Sequence, residues 1–337
     1  MKISADKKQT VILYLLEKIA QGSKSVSRDV AETFGISPNT VHTYLNELQK
    51  NNIITKRKRG EYALVATTEF YSFSRSRGEL SSDTVPYERC LSKKIGHLPE
   101  NVKHIWAYAV SEMVNNVIDH SHAENMDVTV MQDYLFTTVI IVDDGVGIFE
   151  KIRQYFHLAS LDEAICELFK GKLTTDQENH SGEGIFFTSR MMDMFFISSS
   201  AKVFSTTKYS NEQVSDLADA SDGTCVWMSL SNFTKRQAKE VFDSFSNTEG
   251  SFATTRIPLN SIFDSAPVSR SQAKRLCFRL DCFEEVILDF DGISWIGQGF
   301  AHQIFVVYQN AHPAVKLVPI NMNDGVASMY RHVMNSN

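Results

Sequence analysis

Cysteine is scarce in this sequence, and long apolar runs are missing. The five cysteines are an odd number and form no Cys-x-x-Cys pair, which predicts reduced thiols rather than a disulfide framework or a zinc site. No apolar run reaches the roughly 18 residues that a membrane span needs. The opening residues, MKISADKKQT, lack the apolar core of a secretory signal. The sequence therefore predicts a cytoplasmic protein with no membrane partner.

Hydrophobic residues nonetheless make up 43% of the 337 residues, enough to build packed cores. At roughly 100–200 residues per domain, this length indicates two or three domains. Charge is unevenly distributed. Residues 1–65 hold 11 Lys/Arg and 6 Asp/Glu, a net charge of +5, which leaves −11 for the remainder of a chain whose total is −6. A basic N-terminal region on an otherwise acidic chain is typical of a protein in which only that region approaches a polyanion.

Residues 8–65 have the pattern of a winged helix-turn-helix. Apolar residues recur at helical spacing over 8–21, and Gly35 marks a tight turn before a helix that Ser37 caps and Pro38 opens. Two short strands then flank the basic run KRKRG. The segment from Ala31 to Val41 resembles the turn of winged-helix repressors, which implies binding of double-stranded DNA by a domain over residues 1–66. A domain that mediates only protein contacts is the alternative.

Two groups of side chains are the DNA-binding candidates. Polar residues at the start of the predicted recognition helix face base edges in such domains; they are Asn39, Thr40, His42 and Thr43. Basic residues at the predicted hairpin tip suit phosphate contacts; they are Lys56, Arg57, Lys58 and Arg59.

A polar pair interrupts the long helix predicted over residues 101–123. In SEMVNNVIDHS, Glu112 and Asn116 are four residues apart and therefore project from one helix face. A carboxylate there can orient an attacking water, and an amide oxygen can serve as one of the oxygen ligands that Mg²⁺ prefers. A solvated helix face is the ordinary explanation for such a pair taken alone.

Two glycine-containing segments follow. In IIVDDGVGIF, a predicted buried strand ends at Asp143, and Gly145 and Gly147 allow a tight turn and close approach to a ligand. A carboxylate at that point can accept a hydrogen bond from an exocyclic amine such as adenine N6. A simple tight turn would give the same pattern.

The second segment, LFKGKLTTDQENHSGEGIFF, places Gly182 and Gly184 before a predicted helix whose first N–H groups suit phosphate. Lys172 and Thr174 lie in the preceding loop. No GxxxxGK[ST] run occurs, so a P-loop is excluded.

These three motifs, in this order, resemble the N, G1 and G2 boxes of the GHKL ATPase and kinase superfamily, and Asp222-Gly223-Thr224 resembles a late strand of that fold. The resemblance covers residues 95–232 and implies an ATP and Mg²⁺ site. It implies Glu112 as the catalytic base, Asn116 as the magnesium ligand and Asp143 as the adenine contact. The other implied nucleotide-binding residues are Asp119, Gly145, Gly147, Lys172, Thr174, Gly182, Gly184 and Thr224. An aspartate at position 119 resembles the gyrase-type and MutL-type members of the superfamily more than the histidine kinases.

From about residue 250, strands and helices alternate, which predicts a small, partly parallel α/β domain. The segment VILDFDGISWIGQGFAHQIF resembles a STAS domain, although Gly297-Gln298-Gly299 stands where related antagonists offer Ser or Thr. This resemblance implies a protein partner or a self-regulatory module. A structural extension that stabilises the preceding domain is the alternative.

The predicted fold class is α/β multidomain: a winged helix-turn-helix over 1–66, a GHKL (Bergerat) α/β sandwich with its preceding linker over 67–249, and a small STAS-like α/β domain over 250–337. The predicted function is an ATP-binding transcriptional regulator, in which nucleotide binding, with or without slow hydrolysis, gates DNA or partner-protein binding. The alternatives are an anti-sigma-type serine/threonine protein kinase and a GHKL ATPase whose output is dimerisation. Hydrolysis and a homodimer are left open.

Overall fold

The chain forms two compact units. The structure, a computed structural model, describes residues 5–58, 60–173, 182–207, 210–217, 222–263 and 265–335. Unit 1 comprises Met1–Tyr71, Thr129–Val139 and Ser229–Thr234; unit 2 comprises Ser72–Val128, Ile140–Met228 and Lys235–Asn337. Within the described ranges, no helix combines the length and the apolar character that crossing a bilayer requires.

Unit 1 contains the predicted three helices and hairpin: α1 (Ala5–Ala20), α2 (Val26–Phe34), α3 (Pro38–Lys50), β1 (Ile54–Lys58) and the antiparallel β2 (Glu61–Leu64). The apolar positions that gave the helical spacing form its core: Val11, Leu15, Ile19, Val41, Leu45 and Leu48. Gly35 has a left-handed φ of 61°, and the Ser37 side chain accepts a hydrogen bond from the Thr40 N–H. The predicted turn and helix cap are confirmed.

A turn from the middle of the chain completes this core. Leu135 is buried among the residues of α1, α2 and α3, and Tyr134 and Phe136 pack against them. Asn232 holds the turn: its N–H donates to the Leu135 carbonyl at 2.8 Å, and its side-chain amide donates to the carbonyls of Asp133 and Tyr134. Ending the first domain at residue 66 therefore omits part of its core, because local periodicity does not report contacts distant in sequence.

The middle of the chain contributes seven strands to one sheet, whose order is β3-β4-β5-β9-β6-β7-β8. The strands are β3 (Thr67–Ser74), β4 (Asn125–Gln132), β5 (Phe136–Asp143), β6 (Met194–Ser199), β7 (Lys202–Thr207), β8 (Ser210–Asp216) and β9 (Thr224–Ser231). On β5 every second side chain is buried from Thr137 to Asp143. Asp143 is therefore the last member of a row that is otherwise core.

Seven helices accompany this sheet in the described ranges: α4 (Thr84–Tyr87), α5 (Lys93–Ile95), α6 (Glu100–Asn116), α7 (Ile148–Tyr155), α8 (Leu161–Lys170), α9 (Gly184–Met191) and α10 (Ala238–Asp243). A π-helical turn, Val117–Ser121, extends α6, close to the helix predicted over 101–123. Helices α7 and α8 are separate, because His157 has a left-handed backbone and Ser160 caps α8 by accepting from the Glu163 N–H.

The C-terminal segment alternates strands and helices as predicted. Its sheet is parallel, with the order β10 (Thr254–Pro258), β11 (Glu285–Asp289) and β12 (Lys316–Ile320). The helices are α11 (Arg270–Cys277), α12 (Gln298–His302), α13 (Gln309–Ala311) and α14 (Asp324–Asn335). All of these elements belong to unit 2, together with most of the middle segment, so the domain boundary predicted between residues 249 and 250 falls inside one compact unit.

Candidate functional site

The three predicted motifs meet at one cavity in unit 2. This cavity has a volume of about 270 Å³, near the lower end of the range for small-molecule sites, roughly 300–1,000 Å³. Predicted site residues in its lining are Glu112, Asn116, Asp143, Gly147, Gly182, Gly184 and Thr224. Helix α6, the end of β5, the start of β9 and the start of α9 thus supply one site.

At the sheet side of the cavity, hydrogen bonds and a close backbone approach hold the ends of β5 and β9 together. The Asp143 carboxylate accepts a hydrogen bond from the Gly145 N–H at 2.9 Å, and the Thr224 hydroxyl accepts one from the Ile148 N–H at 3.0 Å. Gly223 has φ 76°, and a Cβ there would lie 1.9 Å from the Asp143 carbonyl oxygen. Only glycine fits at this close approach of two strand ends.

Burial governs the ionisation of Asp143. The residue is only 5% exposed. Burial raises the pKa of its carboxyl from 3.8 to about 6, although the N–H groups of Gly145 and Thr224 favour the carboxylate. The group is ionised at neutral pH at a cost in free energy. A ligand that donates a hydrogen bond to it would recover part of that cost.

At the helix side of the cavity, Glu112 lies against the first residue of α9. A Cβ added to Gly184 would lie 2.0 Å from the Glu112 carboxylate oxygen, so a side chain at this position would displace the carboxylate. Asn116, one turn further along α6, lines the same cavity. The predicted juxtaposition of the carboxylate, the amide and the glycine turn is thus present in the structure.

Three of the predicted residues are elsewhere. Asp119 is exposed and does not line the cavity. The Lys172 ammonium donates to the Cys282 carbonyl at 2.8 Å, because a left-handed φ of 51° turns the chain there; this differs from the predicted nucleotide contact. Gly145 does not line the cavity, and its N–H donates to the Asp143 carboxylate. Thr174 lies outside the described residues.

Lys151 is a lining residue that the sequence analysis did not identify. It lies on α7, four residues after Gly147, and its ammonium donates to the His120 carbonyl. Burial lowers the pKa of Lys151, and the nearby Asp119 carboxylate opposes that shift. The four-residue interval after Gly147, at the start of a helix, was the available signal.

The described lining carries more acidic than basic side chains. Its titratable side chains are Glu112, His120, Asp143 and Lys151, so two carboxyl groups are opposed by a single ammonium. Among the described residues, no group of three or more His, Cys, Asp or Glu side chains could hold a metal ion.

In unit 1, most of the predicted DNA-binding residues are exposed. Asn39, His42 and Thr43 are exposed on the first two turns of α3, whereas Thr40 is half-buried and its hydroxyl is 2.9 Å from that of Ser37. The other predicted contacts form a basic strip: Lys56, Arg57 and Lys58 are exposed along β1, while Arg59 lies outside the described residues. The basic run thus extends along a strand rather than occupying only the hairpin tip.

Known family models match an N-terminal and a C-terminal segment of the chain. A family model described as a winged helix-turn-helix DNA-binding domain matches residues 10–55, and one described as a STAS-like domain of unknown function matches residues 272–327. No curated protein matches the chain. The chain is therefore a mixed α/β protein with an N-terminal winged helix-turn-helix, which supports a role in DNA-binding regulation, and a C-terminal STAS-like domain.

Proposed function

We propose that this protein is an ATP-binding transcriptional regulator, in which a GHKL-type site in the middle segment gates DNA binding by the winged helix. The observation that carries the proposal is the convergence of Glu112, Asn116 and Asp143 on one cavity. These residues come from two elements that are distant in sequence, and a GHKL-type ATPase requires them together.

The sheet side of the cavity suits an adenine base. Asp143 would accept a hydrogen bond from the adenine N6 amine, and its buried, partly desolvated carboxylate would be stabilised by that donor. Gly147 and Thr224 lie beside it in the lining. A Cβ at Gly147 would lie 2.5 Å from the Ser199 hydroxyl oxygen, so a side chain at this position of the lining would not fit.

Other lining residues suit magnesium and phosphates. The N–H groups at the start of α9 and the Lys151 ammonium provide donors to phosphate oxygens. The Asn116 side-chain oxygen and the phosphates would together hold Mg²⁺, which polarises the phosphates. Glu112, in the same lining, suits orientation of a water molecule for slow hydrolysis.

Two strands support a link between nucleotide and DNA. Strand β5 ends at Asp143 in the cavity, and the turn that precedes it places Leu135 in the winged-helix core. Strand β9 starts at Thr224 in the cavity, and Asn232, just beyond its end, holds that same turn. A change in these strands on nucleotide binding would therefore act on residues of the DNA-binding unit.

Two measurements test the proposal. Titration calorimetry with Mg-ATP should show binding to the wild type and at least about tenfold weaker binding to Asp143→Asn, since the replacement loses a charge-assisted acceptor. Gel-shift titration should then give different DNA affinities with and without Mg-ATP. Absence of ATP binding would overturn the nucleotide site, and equal DNA affinities would overturn gating alone.

A further inference from the structure

We infer that residues 250–337, called the STAS-like segment below, position one wall of the nucleotide cavity and thereby set its affinity for nucleotide, an inference that rests on the proposed function. The wall consists of residues 171–173, directly after α8, and is called the α8 wall below. Gly171 and Leu173 line the cavity, and the Leu173 N–H donates to the carbonyl of Gly182, a further lining residue, at 2.8 Å.

A buried lysine ties the start of the α8 wall to the STAS-like segment. Lys170 has no exposed surface, and its ammonium donates to the Glu167 carboxylate at 2.5 Å and to the Phe278 carbonyl at 2.7 Å. Its own carbonyl accepts a hydrogen bond from the Thr255 hydroxyl, also at 2.7 Å. A buried charge is retained only with such partners, so residues 255 and 278 fix the backbone that leads into the wall.

A second connection runs through Arg279. Its guanidinium donates to the Lys172 carbonyl at 2.5 Å and to the Glu167 carboxylate at 3.3 Å, and it lies 4.8 Å from the centre of the Phe156 ring. In the other direction, the Lys172 ammonium donates to the Cys282 carbonyl. Reciprocal bonds of this kind fix both backbones, since each cation satisfies a carbonyl on the other segment.

Aromatic packing extends the connection to the cavity itself. Gly171 has φ 80°, and a Cβ there would lie 2.7 Å from the Phe186 ring and 2.9 Å from the Phe252 ring. Phe186 lines the cavity, and its ring centre is 4.6 Å from that of Phe252, which in turn packs on Phe283 at 5.4 Å. The chain from Phe252 to Phe283 therefore supports both a backbone stretch and a side chain of the lining.

The consequence is a regulatory coupling. If the position of residues 278–283 determines the α8 wall, then any event that moves them changes nucleotide affinity, and nucleotide binding must bias their position by the same free energy. Arg279 is a positioning residue in this scheme, because it acts through the Lys172 carbonyl. The STAS-like segment is thus the natural point of control over the site.

Two cations of the STAS-like segment allow a matched test. Arg279→Gln removes the bonds to the α8 wall, whereas Lys316→Gln removes an exposed ion pair to Glu285 that has no partner in the wall among the described contacts. Calorimetry with Mg-ATP should show about tenfold weaker binding for Arg279→Gln and unchanged binding for Lys316→Gln. Hydrogen exchange without nucleotide should be faster at the Leu173 amide in Arg279→Gln only.

The outcomes separate this inference from the proposed function. Equal affinities in both variants, or unchanged exchange at Leu173, would overturn it. If wild type fails to bind Mg-ATP, the proposed function falls, and exchange at Leu173 still decides the positioning. Should Arg279→Gln not fold, Lys172→Met replaces it: methionine keeps its stem against Phe252 and Phe283, loses the bond to the Cys282 carbonyl, and should weaken binding roughly threefold. Wild-type affinity in that variant would again overturn the inference.

Discussion

The charge of Asp143 gives the fold a pH dependence. Its pKa is raised from 3.8 to about 6 on folding, so folding disfavours the carboxylate. The penalty is absent below pH 4, grows between pH 4 and 6, and is complete above pH 6. Relative to Asp143→Asn, wild type should therefore lose about 2 kcal/mol of unfolding free energy between pH 4 and 7. Urea unfolding of both proteins across that range measures this difference.

The adjacent carboxylate provides the control. Asp144 accepts hydrogen bonds from the Asn125 N–H and side-chain amide, which lower its pKa. Its stabilising contribution is present above its ordinary pKa and is lost only as pH falls below that value. The difference between wild type and Asp144→Asn should therefore stay level from pH 4 to 7. A level difference for Asp143→Asn as well would contradict the assigned effect of burial.

Lys151 should contribute to binding of the ATP phosphates rather than to binding of the adenine base. Because its ammonium lines the cavity beside the His120 carbonyl, Lys151→Met should weaken Mg-ATP binding by roughly 10–100-fold. Adenosine binding should change much less, since it has no phosphate. Calorimetry with both ligands measures the two effects. Equal losses for ATP and adenosine would mean that Lys151 only supports the shape of the cavity.

Sequence reasoning located the residues of this site unevenly. Glu112, Asn116 and Asp143 were recognisable because a motif and a helix or strand period fixed their side. Lys172 was not, since its direction depends on the left-handed backbone at that residue and on the Cys282 carbonyl far along the chain. Lys151 was overlooked because a lysine near a helix start ordinarily faces solvent.

Helix α3 and strand β1 should contribute to DNA binding in different ways. Replacing His42 by alanine removes an exposed side chain near the start of α3 and should lower discrimination between DNA sequences, by about 1–3 kcal/mol if it reads a base. Replacing Lys56 by alanine should weaken binding to all sequences and reduce the slope of log affinity against log salt by about 1. Fluorescence titrations with specific and random duplexes at several salt concentrations separate the two effects.

The exposed Thr43 offers a comparison on the same helix. Its hydroxyl donates to the Asn39 carbonyl within α3, so Thr43→Ala tests the helix surface without removing a ring or a charge. Identical salt slopes for wild type and Lys56→Ala would exclude Lys56 as a phosphate contact.

At the scale of elements, periodicity predicted most of what the structure contains. The spacing of Val11, Leu15 and Ile19 defined α1, and alternation defined β5 up to Asp143. Strand β3 was not predicted, because residues 66–100 have no clear period. The break between α7 and α8 was also missed: it depends on a left-handed residue that is not glycine, His157.

The division of the whole molecule was the hardest feature to predict. The turn at Leu135 joins the winged-helix core, and Lys170 and Arg279 join the middle segment to the STAS-like segment. These contacts link residues far apart in the chain, and no local pattern encodes them. The boundary predicted from local patterns between residues 249 and 250 therefore lies inside one compact unit.

Gating of DNA binding should depend on nucleotide binding and not on hydrolysis. Glu112→Ala removes the group proposed to orient water. It leaves Asp143 at the end of β5 and Thr224 at the start of β9 unchanged. This variant should retain Mg-ATP binding, lose turnover, and still show the nucleotide-dependent change in DNA affinity. Asp143→Asn, which weakens binding itself, should need about tenfold more ATP for the same change.

The measurement is a gel-shift series across ATP concentrations for wild type and both variants, with phosphate release followed in parallel. A binding-driven mechanism requires the midpoint of the DNA response to follow the calorimetric affinity for ATP, because linkage allows a ligand to shift an equilibrium only by its differential affinity. If Glu112→Ala binds ATP normally yet leaves DNA affinity unchanged, the output is coupled to hydrolysis. Strands β5 and β9 would then respond to the products of hydrolysis rather than to the binding of ATP.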